Sequence, residues 1–335
     1  MNVLPFPKKV RVVSALIEGC SMEATARITD TAPNTIGKVG LDVGEACRRL
    51  HNAMMRDLQV AVVELDEIWA FVAKKQKRLT DDDPPEFGDC YTFLGLDANR
   101  KAIISYAVGK RDSLTTADFI TDLRSRVLGK PQITTDGFGC YPDAIRLAFG
   151  EDADYAQIIK QYGGLDATDE RRYSPPKCTR SDKRPISGAP DPDRISTSYI
   201  ERQNLTCRMH MRRFTRLTNA FSKRMRNHAA AVALYVAWYN FVRVHETTRI
   251  TPAMALDVTD HVWSVAELID AALAIAPEDA PRLPAPAAPP PPGSPEDDPR
   301  QMSLLDWQPQ PLRPLRPTVD MEQIDLFPGF AVASE

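Results

Sequence analysis

The sequence predicts an α/β protein in which a mixed sheet follows a short all-helical unit and precedes a tail without a core. Three observations carry that expectation. Apolar residues recur at helical spacing over the first fifty positions, as Val10, Val13 and Ile17 and then Ile36, Val39 and Val43. From Leu58 the pattern changes to β-branched and aromatic runs separated by turn residues and helical stretches, an order that belongs to mixed α/β domains. The last sixty residues hold 15 of the 28 prolines, so they read as a disordered, polyproline-like tail.

In chain order, Val10, Val13 and Ile17 predict a first helix that Glu18-Gly19-Cys20 stops, and Ser21 is a candidate N-cap for a second over Met22 to Thr29. The break Asp30-Thr31-Ala32-Pro33 leads into a third helix. Residues 1–55 thus form a helix-turn-helix pattern, with Asn34, Thr35 and Lys38 near the start of the reading helix. Any three-helix scaffold shares that pattern, and Gly37, Gly40 and Gly44 lower the helical preference of the third segment. Residues 56–250 form the expected sheet domain. Val60 to Val72 reads as a mostly buried strand, and Tyr91 to Leu96 with Ala102 to Val108 as a hairpin about Asp97-Ala98-Asn99-Arg100. A helix capped by Ser113 is expected over Leu114 to Val127, then a short strand from Pro131 to Asp136. Tyr141 to Phe149 reads as a helix, Tyr155 to Lys160 as a strand, and the polar residues 163–194 as an irregular insertion. A long helical region starts near Ser196, with Ile200, Cys207, Met211, Phe214 and Leu217 in one apolar stripe. Residues 251–275 form a C-terminal helical segment and 276–335 the tail.

Six scattered cysteines without a CxxC pair argue against a zinc ribbon or a disulfide scaffold and fit a reducing cytoplasm. The longest nearly apolar run, Ala229 to Val242, is shorter than the roughly 20 residues of a membrane span, so no membrane partner is expected. The net charge of −3 conceals a division. The tail carries ten acidic against four basic residues, whereas Arg202 to Arg249 carries ten Lys or Arg against the single acid Glu246. Positive charge concentrated in that way points to nucleic acid, and to a cytoplasmic, nucleoid-associated protein. There is no GxxxxGK[ST] loop for ATP and no HExxH for a metalloprotease.

Cutting or joining a phosphodiester requires an activated oxygen nucleophile and a stabilised leaving oxygen. Two divalent cations about 3.5–4 Å apart, held by carboxylates from separate segments, supply both. Asp66 lies inside an apolar strand, where an unpaired charge is costly; Asp136 ends a short strand before Gly137; Glu201 opens the basic helical region. Helical spacing returns Arg208 and Arg212, seven and eleven positions on, to the face of Glu201, which suits a metal ligand beside a bound phosphate. Each residue also has an ordinary reading: a carboxylate paired to a basic neighbour, a turn aspartate, a solvated helix face.

The stretch Ile200-Glu201-Arg202-Gln203-Asn204-Leu205-Thr206-Cys207-Arg208-Met209-His210, continuing through Arg213 and Arg216 to Phe221-Ser222-Lys223, resembles the catalytic glutamate region of the insertion-sequence-one transposase family. Glu64-Leu65-Asp66-Glu67-Ile68-Trp69 resembles that family's first aspartate motif and Thr135-Asp136-Gly137 its second. Thr25-Ala26-Arg27, Asn34-Thr35-Ile36 and Asp42-Val43-Gly44 are similar to its helix-turn-helix, so the resemblance covers roughly residues 10–260. It implies a ribonuclease-H-like fold with a DDE site in which Asp66, Asp136 and Glu201 are catalytic and hold two Mg²⁺ or Mn²⁺ ions. It further implies 3′-end cleavage at terminal inverted repeats and strand transfer into double-stranded target DNA by a homo-oligomer, with no covalent protein intermediate. Arg202, Arg208, Arg212, Arg213 and Arg216 would contact DNA, and Asn34, Thr35 and Lys38 would read the ends. The alternative is a non-catalytic helix-turn-helix DNA-binding protein derived from a transposase. The chain departs from the family in lacking the cysteine zinc motif that some members place before the helix-turn-helix, and in its acidic tail. Within that tail Gln301-Met302-Ser303-Leu304-Leu305 resembles the peptide by which bacterial proteins bind the replication sliding clamp.

Overall fold

Three amphipathic helices open the chain in the computed structural model, which describes residues 4–162, 178–215 and 219–277. They are α1 (Phe6–Ile17), α2 (Met22–Thr29) and α3 (Pro33–Met54). The Ser21 hydroxyl caps α2 by accepting from Ala24 N, as its sequence position suggests, and Asp30 ends it in the left-handed region at φ 47°. Ile36, Val39, Val43, Cys47 and Leu50 form the buried stripe of α3, leaving Asn34 and Lys38 exposed and Thr35 half-buried at its start.

The strands follow as β1 (Leu58–Gln59), β2 (Val62–Val72), β3 (Gly88–Asp97) and β4 (Ile103–Gly109), then α4 (Ser113–Arg124), β5 (Val127–Leu128) and β6 (Gln132–Thr135). Next come α5 (Tyr141–Phe149), β7 (Asp154–Tyr162), β8 (Cys178–Ser187), α6 (Ser198–His210), α7 (Met225–Phe241), α8 (Pro252–Ala255) and α9 (Val265–Ala274). The two-residue strands β1 and β5 pair in parallel, and the other six form one mixed sheet in the order β4-β3-β2-β6-β7-β8. Neighbours are antiparallel except β2 with β6 and β6 with β7. A central strand covered on both faces must be apolar in both registers, and β2 buries Val63, Leu65, Ile68 and Val72 at 0% exposure. Helices α4 and α5 pack together beside the hairpin, while α6 lies on β2 and α3 runs along α7 and α9. No described helix is long and apolar enough to cross a membrane, and the apolar run of α7 is core, buried from Val232 to Phe241.

Three expectations are corrected here. Asp112, not Ser113, caps α4, because its carboxylate accepts from Thr115 N. The stretch 163–194 is not irregular over its described part: β8 pairs antiparallel with β7 through backbone groups while its side chains remain mostly exposed. The helical region from Ser196 is interrupted, since Met211 is extended (φ −111°, ψ 104°) and only a 3₁₀ turn, Arg212–Phe214, follows. Leu217 lies outside the described residues.

Close packing explains a glycine that the helical pattern counted as a weakness. A Cβ at Gly44 would stand 2.2 Å from the Ala230 carbonyl oxygen of α7, so only hydrogen permits this approach of the two helices. Gly44→Ala is therefore expected to destabilise by about 1–3 kcal/mol through overpacking. Gly40→Ala, which would meet only the Leu16 Cδ1 methyl at 3.2 Å, serves as the control. Urea midpoints of the two variants check this; equal midpoints would refute it.

Candidate functional site

Strand register brings the first two predicted carboxylates together. Glu64 of β2 is in register with Thr134 of the parallel strand β6, so Asp66 and Asp136, each two residues further on, point to the same face of neighbouring strands. The β2–β6 ladder ends there, and Glu67 reaches the same opening from the next position along β2. One oxygen from each of Asp66, Glu67 and Asp136 lies within 4.8 Å of the others. Glu67 is the member that the motif residues did not single out.

Helix α6 lies over this group through specific contacts. Glu64 Oε2 accepts from the Ile200 amide at 2.9 Å, placing a carboxylate at the positive end of α6, where the Thr197 side chain makes no capping bond of its own. One residue on, Glu201 accepts from Thr197 Oγ1 at 2.7 Å and is ion-paired with Lys160 of β7. Glu201 is close enough for its charge to act on Asp66, but it stands outside the compact group of three. One turn further, Asn204 Nδ2 donates to Asp66 Oδ2 at 2.8 Å, while Asp66 Oδ1 accepts from Glu67 N. A cation also reaches the group from outside the predicted set. Arg111, in the loop between β4 and α4, sets its Nε 3.0 Å from Glu67 Oε2 and its Nη2 3.6 Å from Asp136 Oδ2.

Burial, joined by neighbouring charges at Asp66 and Glu67, raises the proton affinity of Glu64, Asp66 and Glu67. Asp66 is pushed up to about 7, first by burial and then by the charges of Glu67, Asp136 and Glu201, against the Glu67 amide that favours the anion. Glu64 is likewise raised to about 7 by burial, which outweighs its bond from Ile200. Glu67 is raised by burial and by Asp136, with Tyr141 and Arg111 opposing. Glu67 Oε1 and the Tyr141 hydroxyl are both buried and act on each other, short of strict hydrogen-bond geometry. The group that converges on this opening is made of carboxylate oxygens that repel one another. That set fits a hard divalent cation and does not fit a soft metal.

The linkage is testable. The unfolded chain loses these protons near the ordinary values of 3.8 and 4.5, whereas the folded chain keeps them to about 7. Between those limits the folded state binds more protons, so its stability falls as pH rises. The thermal midpoint in EDTA is expected to drop from about pH 5 to about pH 8 more steeply for wild type than for Asp66→Asn. Parallel profiles would contradict the assignment.

The basic residues divide. Arg202 is exposed on α6 and Arg208 half-buried on it. Because α6 ends at His210, Arg212 does not share the face of Glu201; it is exposed in the 3₁₀ turn. Arg213 turns inward, its Nη1 donating to the buried Ser222 hydroxyl at 2.6 Å. Arg216 and Gln301 to Leu305 lie outside the described residues. Tyr239 and Asn240 of α7 are structural: the phenol donates to Lys101 O, and the amide bonds both Ile103 N and Ile103 O at the sheet edge.

No known protein family and no curated protein matches this sequence. A solved structure similar to it is a piggyBac transposase in a synaptic complex with hairpin DNA, at 9% identity and a TM-score of 0.37, covering 80% of this chain and 70% of that one.

Proposed function

We propose that the chain is a metal-dependent DNA transposase of ribonuclease-H-like kind that cleaves the 3′ ends of an insertion sequence and joins them to target DNA. The observation that carries this reading is the register of β2 with β6, which sets Asp66 beside Asp136 under a helix bearing Glu201. Asp66 and Asp136 would hold divalent cations, with Glu67 and Glu201 as further oxygen donors. A bound divalent ion supplies Lewis-acid stabilisation of phosphate oxygens and activation of the oxygen nucleophile. The residues of the chain do the rest. Asn204 fixes the orientation of the Asp66 carboxylate, and Glu64 fixes the start of α6 and with it Glu201. Asp66, whose Oδ2 accepts from Asn204, must lose its proton before it can ligate a cation, so cation uptake should strengthen as pH rises through about 7. Exposed Arg202 and Arg212, with half-buried Arg208, suit contacts to DNA phosphate. In this reading residues 1–55 find the terminal repeats through Asn34, Thr35 and Lys38, and a homo-oligomer joins two ends.

The test is incubation of labelled DNA carrying the host element's own terminal repeats with Mg²⁺ or Mn²⁺. Metal-dependent 3′ nicking followed by strand transfer is expected. Specific binding without cleavage would replace this reading with a non-catalytic DNA-binding protein.

A further inference from the structure

Arg111 stands where an incoming cation would be received. Its guanidinium contacts Glu67 Oε2 at 3.0 Å and Asp136 Oδ2 at 3.6 Å, two of the three carboxylates whose oxygens converge within 4.8 Å. It also lies 3.9 Å from the Phe138 ring centroid, a contact that favours a cation over an aromatic face. The same short turn builds both halves of this seat, because Phe138 N donates to Asp136 Oδ1 at 2.9 Å. Glu67 has a 3% exposed side chain, with Oε2 on Arg111 and the buried Tyr141 hydroxyl acting on it from the other side.

Charge decides what this arrangement does. Asp66, Glu67, Asp136 and Glu201 bring four carboxylates, against which stand Arg111 and Lys160. Lys160 is paired with Glu201, whereas Arg111 contacts both Glu67 and Asp136, so Arg111 is the cation that quiets the repulsion of that pair. A divalent ion ligated by Asp136 would come within a few ångströms of the guanidinium and repel it. The two positive charges would then compete for Asp136.

We propose that Arg111 is a positioning residue that holds Glu67 and Asp136 together in the cation-free site and competes with the divalent ion for Asp136. The inference rests on the divalent-cation reading of this group. A guanidinium displaced from Asp136 keeps its seat on the Phe138 ring, and so stays at the rim as a donor for a phosphate.

The test is Mn²⁺ binding to the full chain without DNA, read by electron paramagnetic resonance of the free ion, for wild type, Arg111→Gln, Arg111→Lys and Phe138→Leu. Removing one positive charge beside the site is expected to tighten Mn²⁺ binding roughly tenfold in Arg111→Gln. Arg111→Lys, which keeps the charge, should stay near wild type. Phe138→Leu removes only the aromatic seat and should tighten binding to a lesser degree; it keeps the proposal testable if Arg111→Gln does not fold. Wild-type Mn²⁺ affinity that is unchanged or weakened in Arg111→Gln and Phe138→Leu would overturn the competition and leave the cation site standing. Absence of Mn²⁺ binding in every form would overturn the cation site itself.

Discussion

Asp136→Asn is expected to remove metal-dependent cleavage and strand transfer by about 10³-fold or more, roughly 4 kcal/mol of transition-state stabilisation, with little change in thermal stability. The substitution is nearly isosteric, and its retained carbonyl oxygen can still accept from Phe138 N, which keeps the turn after β6. What it removes is one negative charge from a partly exposed oxygen beside Asp66 and Glu67. A residue whose only service was the turn would tolerate this. A cation ligand would not, because a neutral amide oxygen holds a hard divalent ion far more weakly than a carboxylate does. Asp66→Asn should be as damaging, since Asp66 is the acid bonded by Asn204 and acted on by the charge of Glu201. Glu201→Gln should cost less, since Glu201 stands outside the compact group and is already paired with Lys160. Single-turnover cleavage of end-labelled terminal-repeat DNA, with circular dichroism to check folding, measures all three. Wild-type rates in Asp136→Asn would sink the catalytic assignment.

Two members of the candidate site were visible in the sequence, for a local reason. An acid embedded in an apolar strand and an acid closing a strand before glycine are visible one segment at a time, and Asp66 and Asp136 are such residues. Their meeting depends on which strand pairs with which, and in what register. The Glu64–Thr134 pairing joins positions seventy residues apart, beyond any periodicity. Arg111, Asn204 and Lys160 were invisible for the same reason: each is an ordinary polar residue until the fold brings a carboxylate to it. The end of α6 was hidden by its own core. Met211 and Phe214 are buried on from Cys207 although the helix stops at His210, so the apolar stripe continued where the helix did not. Strand β8 was missed because its exposed polar side chains carry no burial signal; what holds it is the backbone of β7.

Arg126→Met is expected to destabilise the protein by about 3–5 kcal/mol, the scale for removing one partner of a buried ion pair. Arg126 is 2% exposed and follows α4, yet its guanidinium serves both α4 and α3. Nε and Nη2 bind the two oxygens of Asp122 at 2.6 and 2.9 Å; Nη2 also donates to Asn52 Oδ1 at 2.5 Å, and Nη1 to the Met55 carbonyl at 3.1 Å. Asp122 in turn accepts from Ser105 Oγ of β4 at 2.5 Å. One side chain therefore satisfies a carbonyl at the end of α3 and neutralises a carboxylate held between α4 and the sheet. Methionine fills similar volume but leaves the Met55 carbonyl and the Asp122 charge without their donor, and that desolvated remainder is the source of the loss. Replacing Asp122 with leucine in the same chain should therefore restore part of the stability, since no buried charge is then left alone. Arg56→Met is the contrast, because Arg56 bonds Ser125 Oγ at 2.6 Å at an exposed site and should cost no more than about 1 kcal/mol. Urea unfolding at constant m-value separates these outcomes. Equal losses for Arg126→Met and Arg56→Met would mean that the buried network does not secure the C-terminal end of α3. The helical unit would then be held to the sheet by α3 against α7, the contact that Gly44 permits.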